Sequence, residues 1–253
     1  MPEAPVAEFQ NIIKEYRRGF WRTPLHALQG VTLRIEAGEV FGLLGPNRAG
    51  KTTLLKILLS LCRPTAGQAF RFGRSVRDRR SLGRIGYVHE NQAFPRYLSA
   101  AGLLHFYGAL ALVPYEEVRR RVPLLLQRVG LADRSQEPIS QFSKGMIQRL
   151  SVAQAMINDP DLLVLDEPNE GLDLEGRLMV RELIAEQRRR GRTVLLVSHV
   201  LTEVQQVCDR VAVLERGRLI HCGDLKTLVS GVETDGVLPL ERALQKLYQE
   251  SSA

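Results

Sequence analysis

Gly45, Gly50, Lys51 and Thr52 fill the pattern G-x-x-x-x-G-K-[ST], and the residue types match what a phosphate chain demands. Several backbone N–H groups must converge on the phosphates, so the loop must turn tightly and carry little side-chain bulk; Gly45 and Gly50 supply that freedom. A helix beginning at Thr52 points its first N–H groups at the anion. Lys51 offers a point charge to the terminal phosphates. The Thr52 hydroxyl is suited to Mg²⁺, which keeps several waters and takes few protein ligands. Pro46, Asn47, Arg48 and Ala49 complete the loop and Thr53 follows it, so the nucleotide-binding set runs from Gly45 to Thr53. The plain alternative is a Gly-rich turn between a strand and a helix. A second pattern stands further on, where an apolar run ends in Asp166-Glu167-Pro168. Such a strand delivers Asp166 to the metal, directly or through water, and lets Glu167 act as general base on a water in line with the terminal phosphate. The competing reading of Glu167, an acid at a helix start, fits Glu170 or Glu175 better.

The elements that must hold these residues follow from periodicity. Residues 40–44 form an apolar run, read as a buried strand, and 52–61 a helix rich in Leu, Ile and Lys. Strands are expected at 7–16, 26–35, 68–72, 85–89, 161–166, 193–198, 211–214 and 219–222. Between 99 and about 160 the pattern is helical, with one helix from Pro114 to Gly130 and another over 144–158. Further helices are expected at 174–190 and 202–208, with a polar loop over 17–24 that holds Trp21. Strands alternating with helices predict an α/β fold with a parallel sheet covered on both faces. Ligands then gather at the C-terminal strand ends. Three of those ends carry chemistry: the Gly45 loop, Asp166-Glu167 and Ser198-His199.

Composition narrows the class. Of 253 residues, 44% are hydrophobic and 25% charged, the balance of an ordinary globular chain. No apolar stretch reaches the length of a membrane span. Residues 1–5 show neither a basic start nor an apolar block, so no secretory signal is expected. Three cysteines without paired spacing, Cys62, Cys208 and Cys222, fit a reducing compartment and no cysteine metal site. The net charge of +7 comes in arginine clusters: Arg17-Arg18, Arg77 with Arg79-Arg80, 119–121 and 188–190. The last two fall on predicted helices beside glutamates and read as solvated faces. No aromatic residues interleave them, so no nucleic-acid partner is expected.

Taken together, these motifs resemble those of the ATP-binding subunit of an ABC transporter, over roughly residues 7–225. The carriers are the loop at 45–53, Ile-Gly-Tyr-Val-His-Glu at 85–90, Phe-Ser-Lys-Gly-Met-Ile-Gln-Arg at 142–149, Leu-Asp-Glu-Pro-Asn-Glu-Gly-Leu-Asp at 165–173 and Val-Ser-His at 197–199. The resemblance implies a P-loop NTPase (RecA-like) core, an N-terminal antiparallel β subdomain and an inserted α-helical subdomain at about 98–160. It assigns 1–225 to the ATPase domain and 226–253 to a helical tail packed on it. It implies that Tyr16 stacks on adenine, where packing is the alternative. Ser143 and Gly145 would contact the γ-phosphate held by the opposite subunit, where a helix cap is the alternative. Asp173 would cross the dimer interface, and His199 would bond the γ-phosphate and hold the attacking water.

Three departures stand out. Arg48 occupies a position where the family usually has Gly, tolerable only if its backbone avoids positive φ. Glu90 replaces a loop glutamine, keeping an acceptor for metal-bound water and adding charge. Lys144 and Met146 replace a Gly and a Gln, and the Ser-Lys-Gly-Met form is similar to exporter-type members with a separate membrane subunit. The resemblance thus implies ATP and Mg²⁺ as cofactors, with Thr52, Glu90 and Asp166 on the metal. It implies a homodimer or heterodimer of nucleotide-binding subunits, a transmembrane permease docked near 90–97 and the helical insert, and a cytoplasmic place at the inner membrane face. Two other classes compete: a soluble ABC-type ATPase acting on nucleic acid or ribosomes, and a low-turnover regulatory ATP binder.

Overall fold

The computed structural model describes residues 4–16, 24–230 and 237–252. Residues 17–23 of the Trp21 loop, including Arg17-Arg18, lie outside the described residues, as do 1–3, 231–236 and 253. In chain order the elements are β1 (Ala7–Tyr16), β2 (Leu25–Ile35), β3 (Val40–Leu44), α1 (Lys51–Leu58), β4 (Ala66–Arg71), β5 (Arg74–Ser75), β6 (Ile85–Val88), α2 (Ala100–Leu110) and α3 (Tyr115–Arg128). They continue with α4 (Lys144–Ala155), β7 (Leu162–Asp166), α5 (Leu174–Arg189), β8 (Thr193–Val197), α6 (Leu201–Val207), β9 (Arg210–Glu215), β10 (Arg218–Asp224), α7 (Leu225–Val229) and α8 (Pro239–Ser252). Two compact units divide the chain: Met1–Leu82 with Leu195–Ala253, and Gly83–Val194.

The first unit holds an antiparallel sheet in the order β2-β1-β4-β5. Alternation sets its register: Ala7 opposes Ile35, Tyr16 opposes Leu25, and on the other side Ala7 opposes Arg71. Phe9, Leu33 and Ile35 meet Phe41 and Leu43 of β3 and Leu54 and Leu55 of α1 around one shared core. Each such side chain contributes about 1.5–3 kcal/mol on burial. The all-apolar β3 runs parallel to β9, with Phe41 beside Arg210 and Leu44 beside Val213, and β10 closes antiparallel on β9. Both faces of β3 are covered, which is why it shows no polar alternation. In α8, Leu240, Ala243 and Leu244 are buried at helical spacing, and the helix packs on α6, α7 and β10.

In the second unit β6 pairs parallel with β7, Ile85 beside Leu162 and Val88 beside Leu165. A side chain at Gly86 would lie 2.1 Å from the Ala155 carbonyl oxygen, so glycine is what lets the end of α4 press on β6. Helices α2, α3 and α4 pack on one another through Leu103, Leu104, Val118, Val122, Leu126 and Leu150. Ser99 caps α2 by accepting from the Gly102 N–H.

The structure moves several predicted boundaries. The helix after the loop begins at Lys51 and ends at Leu58, short of the expected 61, because the chain turns left-handed at Ser60 (φ 59°). Helix α4 stops at Ala155 rather than 158, and the Asn158 side chain donates instead to the carbonyls of Gly83 and Ile85. Strand β4 starts at Ala66, inside the expected turn, with Gly67 at φ 85° against the Asn11 carbonyl.

Candidate nucleotide-binding site

The loop after β3 is built by backbone conformation. Gly45 takes φ 144° and Gly50 φ 109°. A Cβ at Gly45 would stand 2.2 Å from the Leu214 carbonyl oxygen, and at Gly50 2.6 Å from that of Ala27. The Ala49 N–H closes a turn on the Pro46 carbonyl at 3.1 Å, and the buried Ala49 in turn accepts from the Gly217 N–H at 2.9 Å. No side chain caps α1, and its first turn holds no acid, so its leading N–H groups suit an anion. The Lys51 ammonium bends over the loop and donates to the carbonyls of Gly45 (2.5 Å) and Pro46 (3.2 Å). Thr52 is exposed and Thr53 half-buried, while Pro46 and Asn47 lie exposed on the loop.

Arg48 corrects an expectation. It sits at φ 68°, the region it was expected to avoid. In the four-residue turn from Pro46 to Ala49 it is the third residue, the one that takes positive φ in a type II turn. The left-handed conformation costs an L-residue roughly 1–2 kcal/mol. That cost explains why Gly suits the position and why the loop still closes with Arg in it.

Elsewhere in the first unit, the Tyr16 hydroxyl lies 3.9 Å from Cys62 Sγ, and the Lys14 ammonium sits 5.0 Å from the ring centroid. Burial pushes the Tyr16 phenol up. His199 is exposed just past β8, after the buried Ser198, whose Oγ accepts from the Val200 N–H at 3.1 Å.

In the second unit, β7 is buried throughout and carries Asp166 to its end at 4% exposure. Asp166 is pushed up to about 6, chiefly by burial and then by the charges of Glu90 and Glu167; His89 and the Tyr87 hydroxyl pull the other way. That hydroxyl donates to Asp166 Oδ2 at 3.4 Å. Glu167 is half-buried and itself left-handed, at φ 50°. No helix starts at it: the next one, α5, is capped by Asp173 and carries Glu175 in its first turn. Glu90 is exposed at the exit of β6. No cluster of three or more His, Cys, Asp or Glu suited to a metal occurs among the described residues. The crowding of Asp166 by two other carboxylates fits a divalent cation that takes one or two carboxylates and completes its shell with phosphate and water.

Ser143 and Asp173 are both helix caps. Ser143 Oγ accepts from the Met146 N–H at 3.2 Å, and Asp173 Oδ1 accepts from the Gly176 N–H at 2.9 Å. Gly145 lies close enough to the next loop that a Cβ would be 3.0 Å from the Gly171 carbonyl oxygen. Three further bonds tie α4 to the loop after β7. Lys144 Nζ meets Glu170 Oε1 at 2.5 Å, the buried Gln148 amide donates to the Pro168 carbonyl at 2.9 Å, and Arg149 meets Asp173 at 2.8 Å. The Gly176 N–H, then Arg149, hold Asp173 below the usual carboxylate range. Neither these bonds nor Tyr87 was foreseen, since pairs 20 or more residues apart leave no periodic trace.

A glycine phosphate loop on a buried strand, with an acidic strand alongside a helical segment, defines a P-loop NTPase. The family model described as "ABC transporter" matches residues 28–170. An ABC transporter ATP-binding protein of Synechocystis sp. is 42% identical, covering 91% of this chain and 66% of its own length. The Nod factor export ATP-binding protein I of Burkholderia thailandensis is 37% identical, covering 90% and 74%. The chain thus spans about two thirds to three quarters of these relatives' lengths. Among solved structures, an ATP-binding subunit of an ABC transporter superposes with TM-score 0.84 at 27% identity, covering 98% of this chain and all of that one. A dimeric ATP-binding cassette in a post-hydrolysis state with ADP and Pi gives TM-score 0.78 at 26% identity, covering 87% and 98%. The chain belongs to the ABC transporter family and is an ATP-binding subunit with the ATPase fold of that family.

Proposed function

We propose that this ATPase drives export through a separate transmembrane permease, working as a dimer that encloses two Mg²⁺·ATP. Gly45 to Thr53 cradle the phosphates, with Lys51 on the terminal groups, and Tyr16 stacks on adenine. Thr52, Asp166 and Glu90 hold the magnesium ion, which when bound neutralises phosphate charge. Glu167 takes the proton of the attacking water, and His199 bonds the γ-phosphate and keeps that water in line. Ser143 and Gly145 reach the nucleotide of the opposite subunit, and Asp173 crosses the interface. The ATPase domain spans 1–225 and the tail 226–253 packs on it. The chain sits at the cytoplasmic face of the membrane.

The observation that carries this reading is the loop itself: two glycines forced by backbone contacts, an uncapped helix start and a lysine held over the turn. Export is supported by the likeness to a Nod factor export ATP-binding protein. Dimerisation is supported by the dimeric cassette with ADP and Pi. A separate permease is supported by the likeness to a solved structure named as the ATP-binding subunit of an ABC transporter. Tyr97, Leu110, Leu112 and Tyr115 are exposed in the second unit and offer an apolar docking surface for it. The test is ATP turnover by the chain alone and with the membrane protein that co-purifies with it. Stimulated turnover in the assembly is expected. Co-purification with ribosomes or nucleic acid instead, or turnover that no membrane protein changes, refutes the transport reading.

A further inference from the structure

We propose that the first unit carries a second anion site, distinct from the phosphate loop, for a compact molecule bearing two or more phosphates. A cavity of about 510 Å³ opens between the end of α1 and the strands β4 and β5, the volume of a small-ligand site. Arg63, Arg77 and Arg79 line it together with the polar side chains of Ser75 and Gln68 and the ring of Phe70. All three arginines are exposed, and among the described residues none of them pairs with a carboxylate and no carboxylate lines the cavity. Residues 60–82 hold six arginines against a single acid, Asp78, a local net charge of +5 within a chain whose formal net charge is +7. Asp78 is already engaged by Arg74 at 3.4 Å and Arg80 at 3.9 Å, which leaves the three lining guanidiniums uncompensated.

The rim that carries them is built before any ligand arrives. Arg71, fully buried, donates to the carbonyls of Leu58 (2.7 Å), Val76 (3.0 Å) and Asp78 (3.2 Å) and so pins the segment after β5 to the end of α1. The Ser60 hydroxyl also donates to the Val76 carbonyl, and Ser81 to that of Asp78. A guanidinium is a planar fork suited to phosphate oxygens, and backbone already fixed at Val76 and Asp78 spares part of the entropy of ordering the segment that carries Arg77 and Arg79. Solvation of a charged helix face does not account for this cluster. It surrounds a cavity, and apart from Asp78 it has no acids interspersed.

The experiment is calorimetric titration of the full chain with tripolyphosphate, the phosphate loop first filled with a non-hydrolysable ATP analogue. One further saturable site is expected. Each of Arg63→Gln, Arg77→Gln and Arg79→Gln weakens it about tenfold, the triple variant abolishes it, and affinity for the analogue is unchanged. Flotation with vesicles containing cardiolipin, a lipid with two phosphates, and with phosphatidylcholine vesicles identifies the source. Flotation with the former alone, lost in the triple variant, assigns the phosphate to a lipid headgroup; arginine-dependent tripolyphosphate binding without flotation assigns it to a soluble molecule. The proposal is overturned if neither probe binds, or if binding survives in the folded triple variant.

Discussion

After β3 the chain turns through Gly45 and Gly50 at φ 144° and 109°, and no acid lies in the first turn of α1. After β7 it turns through Glu167 at φ 50°, and burial, with the charges of Glu90 and Glu167 added, pushes Asp166 up to about 6. Both turns leave the C-terminal end of a buried strand. The first keeps its chemistry in backbone N–H groups, so its tolerance is decided by where carbonyl oxygens lie. The second keeps its chemistry in side-chain charge, so its tolerance is decided by protonation and by the bonds from α4. Backbone sites should fail all at once when a methyl group is added. Charge sites should fail in separable ways, with binding, turnover and stability moving apart.

Glu167→Gln is expected to have the largest effect on rate, lowering turnover about 10²–10⁴-fold. The variant should still bind ATP and elute as a dimer on gel filtration only when ATP is present. Unchanged turnover removes Glu167 from the chemistry and weakens the contrast at its charged end. Gly45→Ala should destabilise the chain by about 3 kcal/mol and abolish nucleotide binding together, since a Cβ 2.2 Å from a carbonyl oxygen must move the backbone. Chemical denaturation and nucleotide titration check both, and loss of one without the other breaks the backbone half of the comparison.

Asp166 offers a pH test with a definite sign. Its folded value, about 6, lies above the ordinary carboxylate value of about 3.9, so the nucleotide-free fold binds the extra proton between them. The contribution of Asp166 to stability is therefore greatest below about pH 4, falls as pH rises through 4–6, and stays lower by roughly 3 kcal/mol above it. Asp166→Asn should remove that slope, raising the melting temperature at pH 8 while eliminating Mg²⁺-dependent turnover. Calorimetric scans at pH 4.5 and 8 read the difference, and equal slopes in both proteins would remove the raised proton affinity of the buried Asp166.

Two smaller changes sharpen the contrast. Arg48→Gly should relieve the left-handed strain and stabilise the apo chain by about 1 kcal/mol in urea unfolding. Lys144→Ala should cost at most about 1 kcal/mol, because its pair with Glu170 is largely exposed. If it slows turnover by more than its stability loss explains, the tie from α4 to the loop after β7 acts in the reaction.

Much of the site was legible in the order of residues. Gly45, Gly50, Lys51 and Asp166-Glu167 announce themselves because phosphate binding and metal binding restrict residue type at short, local spacing. The strand β1 and the strand-then-loop placements were readable for the same reason: alternation and apolar runs are local. Arg48 was misread because a side chain's identity does not say which position of a turn it fills. The ties from Lys144, Gln148 and Arg149 to the loop after β7, and the closing of Arg63, Arg77 and Arg79 around one cavity, came only with the folded chain.

What the order of amino acids determined by itself was the family, the phosphate loop and the acidic strand end, because each rests on residues a few positions apart whose chemistry allows few substitutes. What tertiary structure alone decided was the proton affinity of Asp166, the left-handed turn at Arg48 and the uncompensated arginine rim. Those depend on which distant groups share a low-dielectric neighbourhood or a backbone turn, and that is settled by packing, not by spacing along the chain.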